Sequence, residues 1–427
     1  MNLIIITTDK TYPQEAEVIN QLFDAGLGTL NLRKPAWSRD ETAAFLDQID
    51  EKYYTRIVLH DHYDLVDDYI VKGVHLNTRN SEDALYSDCF KISDTLRSID
   101  ELENTESEYR FHFLSPVYDS ISKKGYQSAF PKEELQQAYD KGLIKRNTIA
   151  LGGVTEDKLE ELDSLGFGGA ALLGDFWNEW EKDFDNDKLI AKYLRIQEKC
   201  NRIKRRNIPR LHGIALSSAK DPESMLMTSL ALILCGLPLF QFRNKHIEYP
   251  FNIPLADMLQ QTCSREGVLQ IINDSPEIAI ETNADGVHLG KKDMPVKEAR
   301  ELLGYNYIIG GTANTMEDIR QLVADGVDYI GLGPFRFTKT KENLSPIIGL
   351  EGYQTIMSQC REEGITIPVI AIGGITINDI PAIMATGVHG VAMSGGLQQP
   401  DIRSKEGGDT EVHIENILKT IYENAKA

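Results

Sequence analysis

Short, nearly continuous apolar runs recur along the chain, each followed by a turn and then by a segment whose apolar residues stand three and four apart. The first pattern is that of a parallel strand buried on both faces, and the second is that of an amphipathic helix. In the second half the runs are Leu211–Ser217, Leu237–Arg243, Val268–Asp274, Gly286–Gly290, Tyr307–Thr312, Asp328–Pro334, Ile367–Gly374 and Gly390–Gly395. In the first half they are Leu3–Thr8, Leu30–Lys34, Ile57–Asp61, Val74–Asn77, Phe90–Ser93, Tyr109–Pro116, Thr148–Gly153 and Gly169–Gly174. Eight strand–helix units per half predict an α/β chain of two tandem (β/α)8 TIM barrels. A doubly wound open sheet fits less well, because no GxGxxG follows the first strand.

The halves are copies of one another. LNLRKP faces LFQFRNK, GVHLN faces GVHLG, LSPVY faces LGPFR and ALGGV faces AIGGI. The offset grows slowly along the chain, which places insertions in loops. The expected domains are residues 1–200 and 208–427, separated by the basic stretch CNRIKRRN before Pro209. A polar loop, Gln398–Asp409, precedes a last helix expected from His413.

Composition narrows the chemistry. The chain has 427 residues, 41% of them apolar, and no run long enough to span a bilayer. Its net charge of −20 argues against nucleic acid and anionic membranes as partners. Five scattered cysteines without a CxxC spacing give neither a disulfide framework nor a zinc site, and suit the reducing cytoplasm. Self-association is left open.

Active sites of such barrels lie at the C-terminal strand ends. In the second half these carry Gln241, Arg243 and Lys245, then Asn273 and Asp274, then Asp293, then Thr312, then Thr338, Thr340 and Lys341 after the strand of GLGPF. Asp274 and Asp293 supply the minimum protein contribution to a magnesium ion that otherwise binds substrate phosphate and water. Gly373, Gly374, Ser394, Gly395 and Gly396 follow strands seven and eight, where bare backbone N–H groups cradle a phosphate in many barrels. His288 reads as a packed, hydrogen-bonded residue in preference to a base. A basic, metal-bearing pocket beside a neutral cradle suggests two phosphorylated ligands joined with loss of diphosphate.

The runs QFRNK, IIND, ADGVHLGKKD, DYIGLGPFRFTKTK and VIAIGGI resemble thiamine phosphate synthase, over nearly all of residues 208–427. The resemblance implies condensation of a hydroxymethylpyrimidine diphosphate with a hydroxyethylthiazole phosphate, carboxylated or not. It assigns magnesium to Asp274 and Asp293, and the pyrimidine diphosphate to Gln241, Arg243, Lys245, Asn273, Thr312 and Lys341. The thiazole phosphate falls to Thr338, Thr340, Gly374, Ser394 and Gly395. Arg243, Lys245 and Lys341 would act catalytically by stabilising the departing diphosphate. The family usually has Ser at Thr312, and an aliphatic–Ser pair where Ser394-Gly395 stands.

Residues 1–200 resemble the same superfamily, nearer its thiazole tautomerase branch. Arg33, Asp61, Ser120, Ser122, Lys123, Gly152, Gly153 and Gly174 keep phosphate-binding chemistry. The magnesium pattern is broken, with His60 for Asn273, Asn80 for Asp293 and Pro35 for Lys245. The tautomerase histidine would fall at Pro116. His60 and His112 are substitutes for it, each with a structural alternative. The first barrel is therefore expected to be degenerate: a tautomerase, or a non-catalytic phosphate-binding module.

Overall fold

The structure is a computed structural model that describes residues 1–77, 91–105, 109–119, 128, 130–215, 222–244, 247, 250–337, 346–397 and 408–425. It contains two closed eight-stranded barrels, in each of which every strand pairs in parallel with its sequence neighbours and the last pairs with the first. The first barrel is β1 (Asn2–Ile6), β2 (Leu30–Leu32), β3 (Ile57–Leu59), β4 (Gly73–His75), β5 (Lys91–Leu96), β6 (Phe111–Leu114), β7 (Thr148–Ala150) and β8 (Gly169–Leu172). The second is β9 (Leu211–Ile214), β10 (Leu239–Phe242), β11 (Leu269–Asn273), β12 (Gly286–Leu289), β13 (Ile308–Ala313), β14 (Tyr329–Leu332), β15 (Val369–Ile372) and β16 (Gly390–Met393). All sixteen expected strands are present. Compact units comprise Met1–Lys204 with Glu301–Asn306, and Arg205–Arg300 with Tyr307–Ala427.

Differences from expectation lie at strand ends. β7 stops at Ala150 because Gly152 and Gly153 take left-handed backbone, with φ of 92° and 64°. β15 stops at Ile372 for the same reason, at Gly373 and Gly374 (φ 104° and 67°). β5 runs three residues past Ser93 and so takes in Thr95. The last helix, Gly408–Asn424, starts before His413, and residues 398–407 of the polar loop lie outside the described part.

Local signals set the helices that tie strands together. Met316–Ala324 follows a capping box in which Thr315 accepts from the Asp318 N–H and the Asp318 carboxylate returns to the cap backbone. Ile253–Glu266 carries proline in its first turn and ends at Gly267, at φ 72°. The apolar cores lie within each barrel and between its sheet and helices. Ile4, Ile6, Phe113, Ile149 and Ala171 cluster in the first barrel. Ile214, Leu239, Ile271, Ile308 and Ala392 cluster in the second. Among the described residues no helix is long and apolar enough to cross a membrane.

Candidate active site

A line of buried polar side chains crosses the second barrel. His212 Nε2 lies 3.0 Å from the Pro209 carbonyl, and its Nδ1 lies 3.1 Å from Gln241 Nε2. The same Gln241 nitrogen is 3.3 Å from the Tyr329 hydroxyl. That hydroxyl is 3.0 Å from His288 Nδ1, and His288 Nε2 is 3.0 Å from Thr312 Oγ1. Register explains the alignment: His288 pairs with Gly310, and Gly310 pairs with Tyr329. Burial pushes the His212 imidazole down to about 3, so it stays neutral at ordinary pH, and burial holds the Tyr329 phenol well above its usual range. His288 is thus packed and bonded, as expected, and it connects Gln241 to Thr312.

The acidic strand ends are built as follows. Asn273 is the last residue of β11 and pairs with His288 across the ladder. Its Oδ1 is buried with no hydrogen-bond partner, and so is Oε1 of Gln241. Asp274 takes left-handed backbone, at φ 73°, and its N–H donates to the His288 carbonyl at 3.0 Å. That conformation costs a non-glycine residue roughly 1–2 kcal/mol, and such costs gather at functional sites. Asp293 folds back on β12, where its Oδ2 accepts from the Gly290 N–H at 2.6 Å. Arg243 follows β10 directly and is half-buried. The strand order therefore sets Gln241 and Arg243, Asn273 and Asp274, Asp293, and Thr312 on four consecutive neighbouring strand ends. Lys245, Thr338, Thr340 and Lys341 lie outside the described residues.

The glycines after β15 and β16 differ in their surroundings. A Cβ on Gly373 would lie 2.8 Å from Pro334, and one on Gly374 would lie 2.5 Å from Arg336 Cγ. Their positive φ and close backbone neighbours account for both residues without a ligand. A Cβ on Gly396 would lie 2.6 Å from the Ile375 carbonyl. Gly395 is different: it is exposed, next to half-buried Ser394, and a Cβ there would meet nothing within 4 Å.

In the first barrel, Arg33, Gly152, Gly153 and Gly174 line one cavity of about 480 Å³, together with His60, His75, Thr95 and Arg97. Asp61 is not among its lining residues. Ser120, Ser122, Lys123 and Asn80 lie outside the described residues. His60 Nε2 is 2.9 Å from Asn31 Nδ2, and its ring stacks on His75 at 4.2 Å. His112 instead bonds Asp94 at 2.7 Å, on the face of β6 opposite Phe113. Lys34, beside Arg33, is sealed against Glu15 at 2.6 Å, and burial pulls its ammonium down and the carboxyl of Glu15 up.

The thiamine monophosphate synthase family model (TMP-TENI) matches residues 3–176 and again residues 214–397, once in each barrel. The chain belongs to the thiamine monophosphate synthase family. It is an enzyme, a transferase of thiamine biosynthesis. Among curated relatives, thiamine-phosphate synthase of Bacteroides fragilis is 57% identical over 167 residues, covering 39% of this chain and 82% of the relative. That of Flavobacterium johnsoniae is 45% identical over 189 residues, covering 44% and 86%. The crystal structure of thiamine phosphate pyrophosphorylase from Bacteroides thetaiotaomicron is 35% identical, covers 46% of this chain and 96% of its own, and superposes with a TM-score of 0.42.

For a member of this family, sequence reading missed three components. His212 and Tyr329 stood only as strand residues, and the ion pair of Lys34 with Glu15 was not anticipated. The signal that could have found Tyr329 is glycine inside a strand, which marks a close approach by a neighbour. A Cβ on Gly310 would meet the Tyr329 ring, and one on Gly331 would meet His288.

Proposed function

We propose that the second barrel joins a hydroxymethylpyrimidine diphosphate to a hydroxyethylthiazole phosphate, giving thiamine phosphate and diphosphate, with magnesium as cofactor. The observation that carries this reading is the run of hard oxygen donors at neighbouring strand ends. Asp274 is set by left-handed backbone, Asp293 by its bond to Gly290, and Asn273 Oδ1 is buried without a partner. An all-oxygen set with two carboxylates fits magnesium, which keeps waters and substrate phosphate in its remaining positions. Asp274 and Asp293 would hold the ion, which when bound neutralises charge on the departing diphosphate.

In this reading the C–O bond to diphosphate breaks with its electron pair leaving on oxygen. The thiazole nitrogen then gives its lone pair to the exocyclic carbon to form the C–N bond. Arg243, with Lys245 and Lys341, stabilises the developing negative charge, while Gln241, Asn273 and Thr312 hold the pyrimidine diphosphate. The open surface at Gly395, with Ser394, Gly374, Thr338 and Thr340, takes the thiazole phosphate. The protein supplies position and charge in place of acid–base chemistry.

The first barrel we read as binding a phosphorylated ligand without synthase activity. Its cavity unites Arg33 with Gly152, Gly153 and Gly174, which supports an anion site, while its Lys34 ammonium is consumed by Glu15. Thiazole tautomerase activity is the alternative for this barrel. Free Cys200, Cys235, Cys263 and Cys360 suit a cytoplasmic enzyme acting on small phosphorylated substrates. The test is incubation of the full chain with both substrates, with magnesium or with a chelator. Thiamine phosphate formed only with the metal is the expected result, and no product under either condition overturns the reading.

A further inference from the structure

We propose that His288, set by Tyr329, Gln241 and His212, is a positioning residue that presents the Thr312 hydroxyl as a hydrogen-bond donor to the diphosphate group. The inference rests on the proposed synthase reading for its ligand, and on hydrogen-bond direction for its mechanism.

The direction is fixed from one end. The Pro209 carbonyl can only accept, so His212 carries its proton on Nε2, 3.0 Å away. The imidazole is fully buried and neutral, so its Nδ1 can only accept. Gln241 must therefore turn its nitrogen toward that atom, since an amide oxygen there would face a lone pair. The second N–H of Gln241 points to the Tyr329 oxygen. The phenolic proton then goes to His288 Nδ1, the remaining acceptor in the line. His288 thus holds its own proton on Nε2 and donates it to Thr312 Oγ1. The hydroxyl proton of Thr312 is not used within the line and is left for a ligand at the end of β13.

The opposite tautomer would reverse the outcome. Thr312 would give its proton to His288 and turn a lone pair toward an anion. Two glycines provide the room that the line requires. A Cβ on Gly310 would lie 2.5 Å from the Tyr329 oxygen, and one on Gly331 would lie 2.8 Å from His288 Cε1. The first barrel repeats the end of the device with different parts. His75 Nε2 lies 2.8 Å from Thr95 Oγ1, and a hydroxyl again faces Nδ1, here Ser93 Oγ at 2.8 Å. Phe111 stands where the second barrel has Tyr329, yet the histidine–threonine contact persists.

The experiment is a double-mutant cycle on the full chain with inorganic diphosphate and magnesium chloride as the probe, read by calorimetry. Thr312→Val is expected to weaken binding about tenfold, the size of one lost charge-assisted hydrogen bond, and Thr312→Ser to restore it. Tyr329→Phe should weaken binding several-fold, although Tyr329 touches no ligand. The double variant should be no weaker than Thr312→Val alone, because both remove the same donor. Purely additive losses overturn the proposal, as does absence of diphosphate binding by the unmodified chain. Imidazole ¹⁵N spectra of the unmodified chain decide independently of any variant's folding. His288 protonated on Nε2 supports the proposal, and protonation on Nδ1 overturns it. If the chain makes no thiamine phosphate while the cycle and spectra behave as stated, the synthase reading fails and the positioning role stands.

Discussion

A Cβ on Gly310 would lie 2.2 Å from Cζ of Tyr329, so the glycine of β13 is the space in which the phenol of β14 stands. Gly310→Ala should therefore displace a fully buried ring that cannot yield without moving His288. Overpacking of this kind costs roughly 1–3 kcal/mol, which urea unfolding would register as a lowered midpoint. An unchanged midpoint would mean that the ring has an alternative position.

The two glycine turns separate structure from ligand binding. Gly374→Ala places a side chain at φ 67° against Arg336, and should destabilise by about 1 kcal/mol or more whatever is bound. Gly395→Val meets no neighbour, so stability should hold to within about 0.5 kcal/mol. It should instead raise KM for the thiazole phosphate while leaving KM for the pyrimidine diphosphate nearly constant. Equal changes in both constants would contradict the separate thiazole phosphate pocket.

Much of this arrangement was legible in the sequence, and the reason is physical. Strands buried on both faces are apolar over most of their length, so all sixteen could be read from the pattern of apolar runs. Asp274 and Asp293 stood out because carboxylates are rarely set at neighbouring strand ends beside basic residues. The line from His212 to Thr312 was not legible, since it depends on register between strands distant in sequence and on which atom of each pair carries the proton. The pairing of Lys34 was not legible either, for a similar reason. Its partner Glu15 lies on a preceding helix, and only the packed fold brings the two to 2.6 Å. The glycines of the cradle could not be sorted from sequence, because a left-handed turn at Gly373 and Gly374 requires glycine whether or not a phosphate is bound.

His212 gives a pH dependence with a definite sign. Its folded value, about 3, lies below the ordinary histidine value near 6.5, so the unfolded chain binds the extra proton first. Its contribution to stability is complete above about pH 6.5 and is lost as pH falls toward 3, by up to about 1.4 kcal/mol per pH unit. Urea unfolding of the unmodified chain and of His212→Asn between pH 7 and pH 4 checks this. The difference between the two curves should fall with pH, and a constant difference would show that His212 protonates equally in both states.

The first barrel should bind a phosphate monoester without turning it over. Calorimetry of the full chain with the thiazole phosphate should find two classes of site, and Arg33→Ala should remove one while sparing thiamine phosphate formation. A single class in the unmodified chain would leave the cavity lined by Arg33 and Gly153 without this role.

The measurement that bears most directly on the central claim is the turnover of Asp293→Asn. The amide oxygen can still accept from Gly290, so the loop held by that bond at 2.6 Å should persist while the charge is removed. Alanine would lose both at once, and folding could not then be treated as unaffected. With both substrates saturating and magnesium present, thiamine phosphate formation by Asp293→Asn should fall by about a hundredfold or more, as expected for lost stabilisation of the leaving group. Turnover equal to that of the unmodified chain would contradict the assignment of the second barrel as a metal-assisted synthase.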